Sequence, residues 1–88
     1  MKLKCEFVVS SVADEVVAVP VGDNAENYQL VLKLNEESGK IIELLNNDIS
    51  LEEIINELKK EYFVDKNETE KEIVSFIDEL KSVGLIDE

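Results

Sequence analysis

Histidine and tryptophan are absent from the sequence, and Cys5 is its single cysteine. Without histidine, the chain cannot form a Ser-His or Cys-His catalytic pair, and the usual zinc sites built from Cys and His cannot be assembled. A lone cysteine cannot form a disulfide within the chain, so we interpret Cys5 as a small buried strand residue. We therefore expect neither catalysis nor a bound metal or cofactor.

Arginine is also absent, and nine lysines stand against twenty-one acidic residues, for a net charge of −12. Proteins that bind duplex nucleic acid neutralise phosphates with several cationic side chains, and arginine makes the bidentate contacts to phosphate and guanine. The composition therefore argues against nucleic acid as a partner. Residues 35–88 hold sixteen of the acids and six of the lysines. This negative half either attracts a basic partner or simply forms the solvated faces of surface helices.

Long apolar runs are missing as well, since no stretch approaches the roughly eighteen residues that a membrane span requires. Acidic side chains at positions 6, 14 and 15 interrupt the region that would be apolar in a secretory signal peptide. We expect a cytoplasmic protein that does not engage the membrane. A length of 88 residues with 44% hydrophobic content fits a single domain over residues 1–88, with one modest core and no large cleft.

The first third of the chain has the composition of β-strands. Residues 7–12 and 16–21 are rich in valine, whose branched β-carbon suits a pleated sheet, and residues 13–15 predict a hairpin connection between them. Pro20 cannot donate a ladder hydrogen bond, so the second strand ends there or has that side unpaired. Residues 28–34 alternate in polarity and predict a third strand, which completes an antiparallel sheet. One face of this strand carries Leu30, Leu32 and Leu34.

After the third strand the period of the apolar residues changes to that of helices. Asn35 is a typical N-cap for a first helix over residues 36–46. Ser50 and Glu53 predict a capping box at the start of a second helix, in which the hydroxyl and the carboxylate each accept a free backbone N–H. Gly84 predicts the end of a third helix, because glycine readily takes the left-handed conformation of a Schellman motif.

Three strands followed by three helices, with no repeats or linkers, define one α+β domain. The predicted third helix carries an apolar stripe at spacings of three and four, formed by Ile73, Phe76, Ile77, Leu80 and Val83. Neither the sheet nor the helices can bury their apolar surface alone, so we expect them to share one core.

Landmarks along the chain occur in an order that is typical of one family. They are Leu34, Asn35, Gly39, Ser50, Leu51, Glu52, Glu53, Ile54, Tyr62, Phe76, Leu80, Gly84 and Leu85. In this order the chain resembles the PqqD family, named for the pyrroloquinoline quinone biosynthesis protein D, over residues 6–86. The resemblance implies a winged-helix-like peptide chaperone that binds the leader segment of a ribosomally synthesised precursor. It also implies a partner enzyme that modifies the precursor, commonly a radical S-adenosylmethionine protein.

The mechanism that the resemblance implies is β-strand addition. An extended leader peptide pairs with the free edge of the third strand, and its apolar side chains enter a groove bounded by the third helix. By position, the resemblance assigns the strand side of this groove to Gln29, Leu30, Val31, Leu32 and Lys33, and the helix side to Val74, Ile77, Asp78 and Lys81. Asp78 would pair with a basic leader residue and Lys81 with an acidic one.

Two other functions fit parts of the pattern. Three helices and a small sheet also describe a winged-helix DNA-binding regulator, whose third helix enters the major groove. Residues 65–81 carry six acids and three lysines, however, which opposes contact with phosphates. The second alternative is an acidic interaction or inhibitor module that covers a basic protein surface with strong salt dependence. An unpaired strand edge also permits a homodimer.

Overall fold

Three strands precede three helices in a computed structural model that describes residues 1–22, 25–28, 31–62 and 66–86. The elements are β1 Glu6–Val12, β2 Glu15–Val21, a 3-10 turn over Ala25–Asn27, β3 Leu32–Leu34, α1 Glu36–Leu45, α2 Leu51–Tyr62 and α3 Lys66–Ser82. This order confirms the predicted α+β fold, a winged-helix-like sheet followed by helices. None of the described helices is long and apolar enough to cross a membrane.

The sheet is antiparallel with the strand order β1-β2-β3. β1 and β2 form a hairpin in which Val12 pairs with Glu15, so two residues make the turn where the sequence predicted three. Ala13 has a φ of 57°, and a left-handed residue at this position lets the chain reverse within two residues. β3 then pairs with residues 16–18 of β2.

The third strand is shorter than predicted. The N–H of Tyr28 donates to the carbonyl of Ala25 at 3.0 Å, so the backbone of Tyr28 closes the 3-10 turn and is not part of a ladder. Pairing with β2 starts at Leu32. Two residues of the predicted strand, Gln29 and Leu30, lie outside the described residues.

The predicted caps are present at the starts of α1 and α2. The Asn35 side chain accepts the backbone N–H of Ser38 at 2.8 Å, as the N-cap prediction requires. At α2, the Ser50 hydroxyl oxygen accepts the N–H of Glu53 at 3.2 Å. The Glu53 carboxylate accepts the Ser50 hydroxyl at 3.1 Å, where the prediction had it accept a backbone N–H. The two side chains are thus hydrogen-bonded to each other, and the Ser50 hydroxyl still caps the first turn of α2.

A Schellman motif ends α3. Gly84 has a φ of 80°, and its N–H donates to Lys81 O at 3.1 Å, while the N–H of Leu85 donates to Leu80 O at 2.9 Å. These are the two bonds that define the motif, and Leu85 is fully buried. The Schellman motif at Gly84 is as predicted.

The core lies between the sheet and the helices. Its buried members are Leu3, Cys5, Phe7, Ala18, Ile41, Ile42, Leu45, Ile54, Ile55, Leu58, Ile73, Ile77, Leu80, Leu85 and Ile86. Cys5 is buried, as interpreted from the sequence, but it lies just before β1 and is not itself a strand residue. Val83 was predicted to extend the α3 stripe but is exposed, because α3 ends at Ser82 and the chain turns at Gly84.

α1 lies close against the sheet at Gly39. A β-carbon at this position would lie 2.9 Å from Cγ1 of Val16 and 3.2 Å from Cγ1 of Val9. Since real β-carbons essentially never approach within 3.0 Å of another heavy atom, only glycine fits without a shift of the helix. This contact sets the distance between α1 and the sheet and therefore the position of the helices behind it.

Candidate functional site

An open cleft lies along one side of α3. It has a volume of about 380 Å³ and is lined by Met1, Ser50, Leu51, Val74, Ile77, Asp78 and Lys81. The last four are the helix-side residues of the predicted groove. The structure therefore brings all four together at one concave surface, whereas none of the described residues of β3 lines it.

The helical period explains how these four side chains share a face. Positions 74, 77, 78 and 81 are separated by three or four residues, and such residues are neighbours on a helix surface. Ile77 is 3% exposed and forms part of the core below the cleft, while Val74 is 38% exposed. Asp78 and Lys81 are exposed. The cleft thus has an apolar floor and wall with one charge of each sign beside them.

The opposite wall is formed by the start of α2 and the N-terminal segment. Leu51 is half-buried in the first turn of α2, next to the Ser50 cap. Met1 is held in place by the Ile49 N–H, which donates to the Met1 carbonyl at 2.9 Å. Its terminal ammonium donates to the Ile49 carbonyl at 2.8 Å and to Asp48 Oδ1 at 3.1 Å. Sequence reasoning missed Met1 because these contacts join residues nearly fifty positions apart.

A second concave surface continues along α3 toward its N-terminus. It is lined by Glu70, Lys71, Val74 and Ser75 and has a volume of about 540 Å³. Val74 lines both surfaces. The exposed valine is therefore common to both surfaces, and each surface is also lined by one acidic side chain and one lysine.

The pair that contains Pro20 shows which backbone groups of the sheet point to its outer edges. Phe7 of β1 lies opposite Pro20 of β2, and proline has no N–H to donate. Both backbone groups of Phe7 instead bond to the side chain of Asn46, the N–H at 3.0 Å and the carbonyl at 2.8 Å. Phe7 and Pro20 are therefore a non-hydrogen-bonded pair, and the backbone groups of Phe7 point away from β2.

The orientation of the backbone in β3 follows from this pair. Because hydrogen-bonded and non-hydrogen-bonded pairs alternate along an antiparallel ladder, Val16 and Ala18 direct their backbone groups away from β1 and toward β3. Their partners are Leu34 and Leu32. Lys33 lies between these two residues, so its N–H and carbonyl point to the outer edge of β3.

Val31 adds one more group to this edge. The N–H of Leu32 points toward β2, and in a trans peptide unit the preceding carbonyl points the opposite way. The Val31 carbonyl therefore points outward, beside the N–H and carbonyl of Lys33. Both side chains are exposed, Val31 at 60%. Leu32 and Leu34 are half-buried against the core, as their alternation predicted.

The fold and these two features define a small α+β module with an outward-facing strand edge and an open helical cleft. The sequence matches the family model of coenzyme PQQ synthesis protein D (PqqD) over residues 10–86. The chain belongs to the PqqD family. A comparison with curated proteins found no significant match.

Two solved structures are similar over nearly the whole chain. One is TbiB1 in complex with the TbiA(beta) leader peptide, with a TM-score of 0.71, 25% identity, and coverage of 99% of this chain and 95% of that chain. The other is lasso peptide synthetase B1 complexed with the leader peptide, with a TM-score of 0.67 and 21% identity, covering 96% of this chain and 93% of that one. The second likeness concerns the fold alone.

Proposed function

We propose that the chain binds the leader segment of a ribosomally synthesised precursor peptide and presents it to a peptide-modifying enzyme. The observation that carries this proposal is the outward-facing backbone edge of β3 at Lys33 and Val31. Val74, Ile77, Asp78 and Lys81 share one open cleft of α3, which none of the described β3 residues lines. Family membership and the similarity to TbiB1, which was solved with a leader peptide, support the same role.

In this mechanism an extended peptide adds to the outer edge of β3. The N–H and carbonyl of Lys33 and the carbonyl of Val31 supply backbone hydrogen bonds that do not depend on the peptide sequence. Gln29 and Leu30 would extend this edge. Leu32 supports it from the inner side by holding β3 on β2.

Selectivity would come from α3. Apolar side chains of the peptide would contact Val74 and the floor at Ile77, where burial of apolar area stabilises the complex. Asp78 and Lys81 are exposed beside this apolar surface, so they favour a basic and an acidic peptide residue, respectively, at neighbouring positions. Each of these ion pairs contributes weakly in water and serves mainly to select the register of the peptide.

The partner enzyme in this proposal is one that modifies the bound precursor, commonly a radical S-adenosylmethionine enzyme in this family. The chain itself would catalyse no step and would act in the cytoplasm. The absence of histidine supports a binding role, because the usual general base is lacking. The net charge of −12 favours a basic surface on the enzyme and rapid association at low salt.

The orientation of Lys33 allows a sharp test of strand addition. Lys33→Pro removes an outward N–H while leaving the bonds of Leu32 and Leu34 to β2 in place, and proline is tolerated on an edge strand. Lys33→Ala removes the same charge but keeps the N–H. With a synthetic leader peptide that the unmodified chain binds, Lys33→Pro should bind at least about tenfold more weakly than Lys33→Ala. Equal affinities of the two folded variants by calorimetry would contradict strand addition at β3.

A further inference from the structure

Asn46 forms an unusual contact across the chain. It follows α1 as the C-cap, yet its side chain reaches β1, thirty-nine residues away in sequence, where Oδ1 accepts the Phe7 N–H and Nδ2 donates to the Phe7 carbonyl. An amide that donates to and accepts from the same residue reproduces the bonds that a neighbouring strand would make. The Asn46 side chain therefore takes the place of a strand residue at the outer edge of β1.

The chain before β1 is also engaged. The N–H of Lys4 donates to Leu85 O at 2.8 Å, and the N–H of Leu3 donates to Leu45 O at 2.9 Å. Backbone groups of Leu3, Lys4 and Phe7 are thus already bonded within the chain. By the same alternation, Val9 and Ser11 in β1 direct backbone groups outward beyond Phe7, and a strand pairing with them could not continue past the Asn46 side chain at Phe7.

We propose that Asn46 closes the β1 edge to strand addition by a second copy of this chain. The proposal concerns the β1 edge alone and is independent of leader binding at β3. The amide is required for both bonds. Aspartate could accept the Phe7 N–H but would place a carboxylate against the Phe7 carbonyl, and alanine could make neither bond.

Hydrogen exchange measured by NMR on the full chain tests the contact. The Phe7 amide depends on Asn46, whereas the neighbouring Val8 amide bonds to β2 in the β1–β2 ladder and reports general opening of the hairpin. In Asn46→Ala, the Phe7 amide should exchange about tenfold faster relative to the Val8 amide, the effect of one lost hydrogen bond to a partly buried group. Asn46→Asp should keep most of the Phe7 protection. Asn47→Ala, at the exposed next position, is the matched control and should change nothing.

Self-association tests the consequence for the edge. Lys33→Pro disables the β3 edge, so any remaining strand addition in that background must use β1. Adding Asn46→Ala to Lys33→Pro should shift the sedimentation profile toward dimer, while adding Asn47→Ala should not. An unchanged profile in the Asn46→Ala double variant would overturn the proposal. An unchanged ratio of the Phe7 to the Val8 exchange rate in the Asn46→Ala single variant would also overturn the proposal. This measurement is valid even if the double variant unfolds. Neither result bears on leader binding.

Discussion

A negative charge at Val74 should weaken peptide binding without unfolding the chain. Val74 is 38% exposed, so replacing it with aspartate loses part of a valine's burial, about 1 to 2 kcal/mol of folding stability. A domain with the usual 5–15 kcal/mol of stability stays folded after such a loss. In the complex the new carboxylate would face the apolar side chains of the peptide. We expect a cost of about 1 to 3 kcal/mol, or about tenfold or more in affinity.

Val83→Asp is the matched control for this variant. Val83 is 62% exposed just beyond α3, and it lines neither of the two concave surfaces that contain Val74. Both variants carry the same added charge. Their affinities for a labelled leader peptide are measured by fluorescence anisotropy, and the difference between them gives the effect of a charge at position 74 itself. Circular dichroism checks the fold of each. Equal affinities of folded Val74→Asp and Val83→Asp would refute the role of the α3 cleft.

Three further outcomes are expected. Gly39→Ala should lower stability in urea unfolding by about 1 to 3 kcal/mol, because its β-carbon would lie 2.9 Å from Val16 Cγ1; an unchanged midpoint would contradict the close approach of α1. Gly84→Ala should cost about 1 kcal/mol in the same assay because of its φ of 80°, and equal stability would argue against the left-handed cap. Gel-shift assays should show no specific binding to duplex DNA at physiological salt, given the charge of −12; a salt-sensitive, sequence-specific shift would favour the DNA-binding alternative.

The ends of the helices could be predicted because their hydrogen bonds join residues that are close in sequence. Asn35 caps α1 through Ser38, and the motif at Gly84 joins residues only a few positions apart. The alternation of leucines in β3 likewise predicted which face is buried. The helix side of the site was placed by family resemblance, since the spacing of an exposed valine and two charges alone does not distinguish a groove from a solvated helix.

Features that depend on distant residues could not be predicted. The local sequence does not distinguish Asn46 from its neighbour Asn47. Asn46 contacts Phe7 because the orientation of the chain at the end of α1 directs the Asn46 amide toward β1. The packing of Met1 on residues 48–49 has no sequence signature either. The length of β3 was overestimated because alternating polarity indicates only the direction of the side chains. The Tyr28 N–H bonds to the 3-10 turn that ends at Asn27, so it cannot take part in pairing with β2.

The most direct test of leader binding is an NMR titration of the isotope-labelled chain with the synthetic leader peptide of its cognate precursor. Strand addition at β3 predicts intermolecular contacts between the peptide backbone and the Lys33 amide, and between apolar peptide side chains and Val74. Shifts and contacts confined to α1 and α2, with Lys33 and Val74 unchanged at saturation, would contradict it.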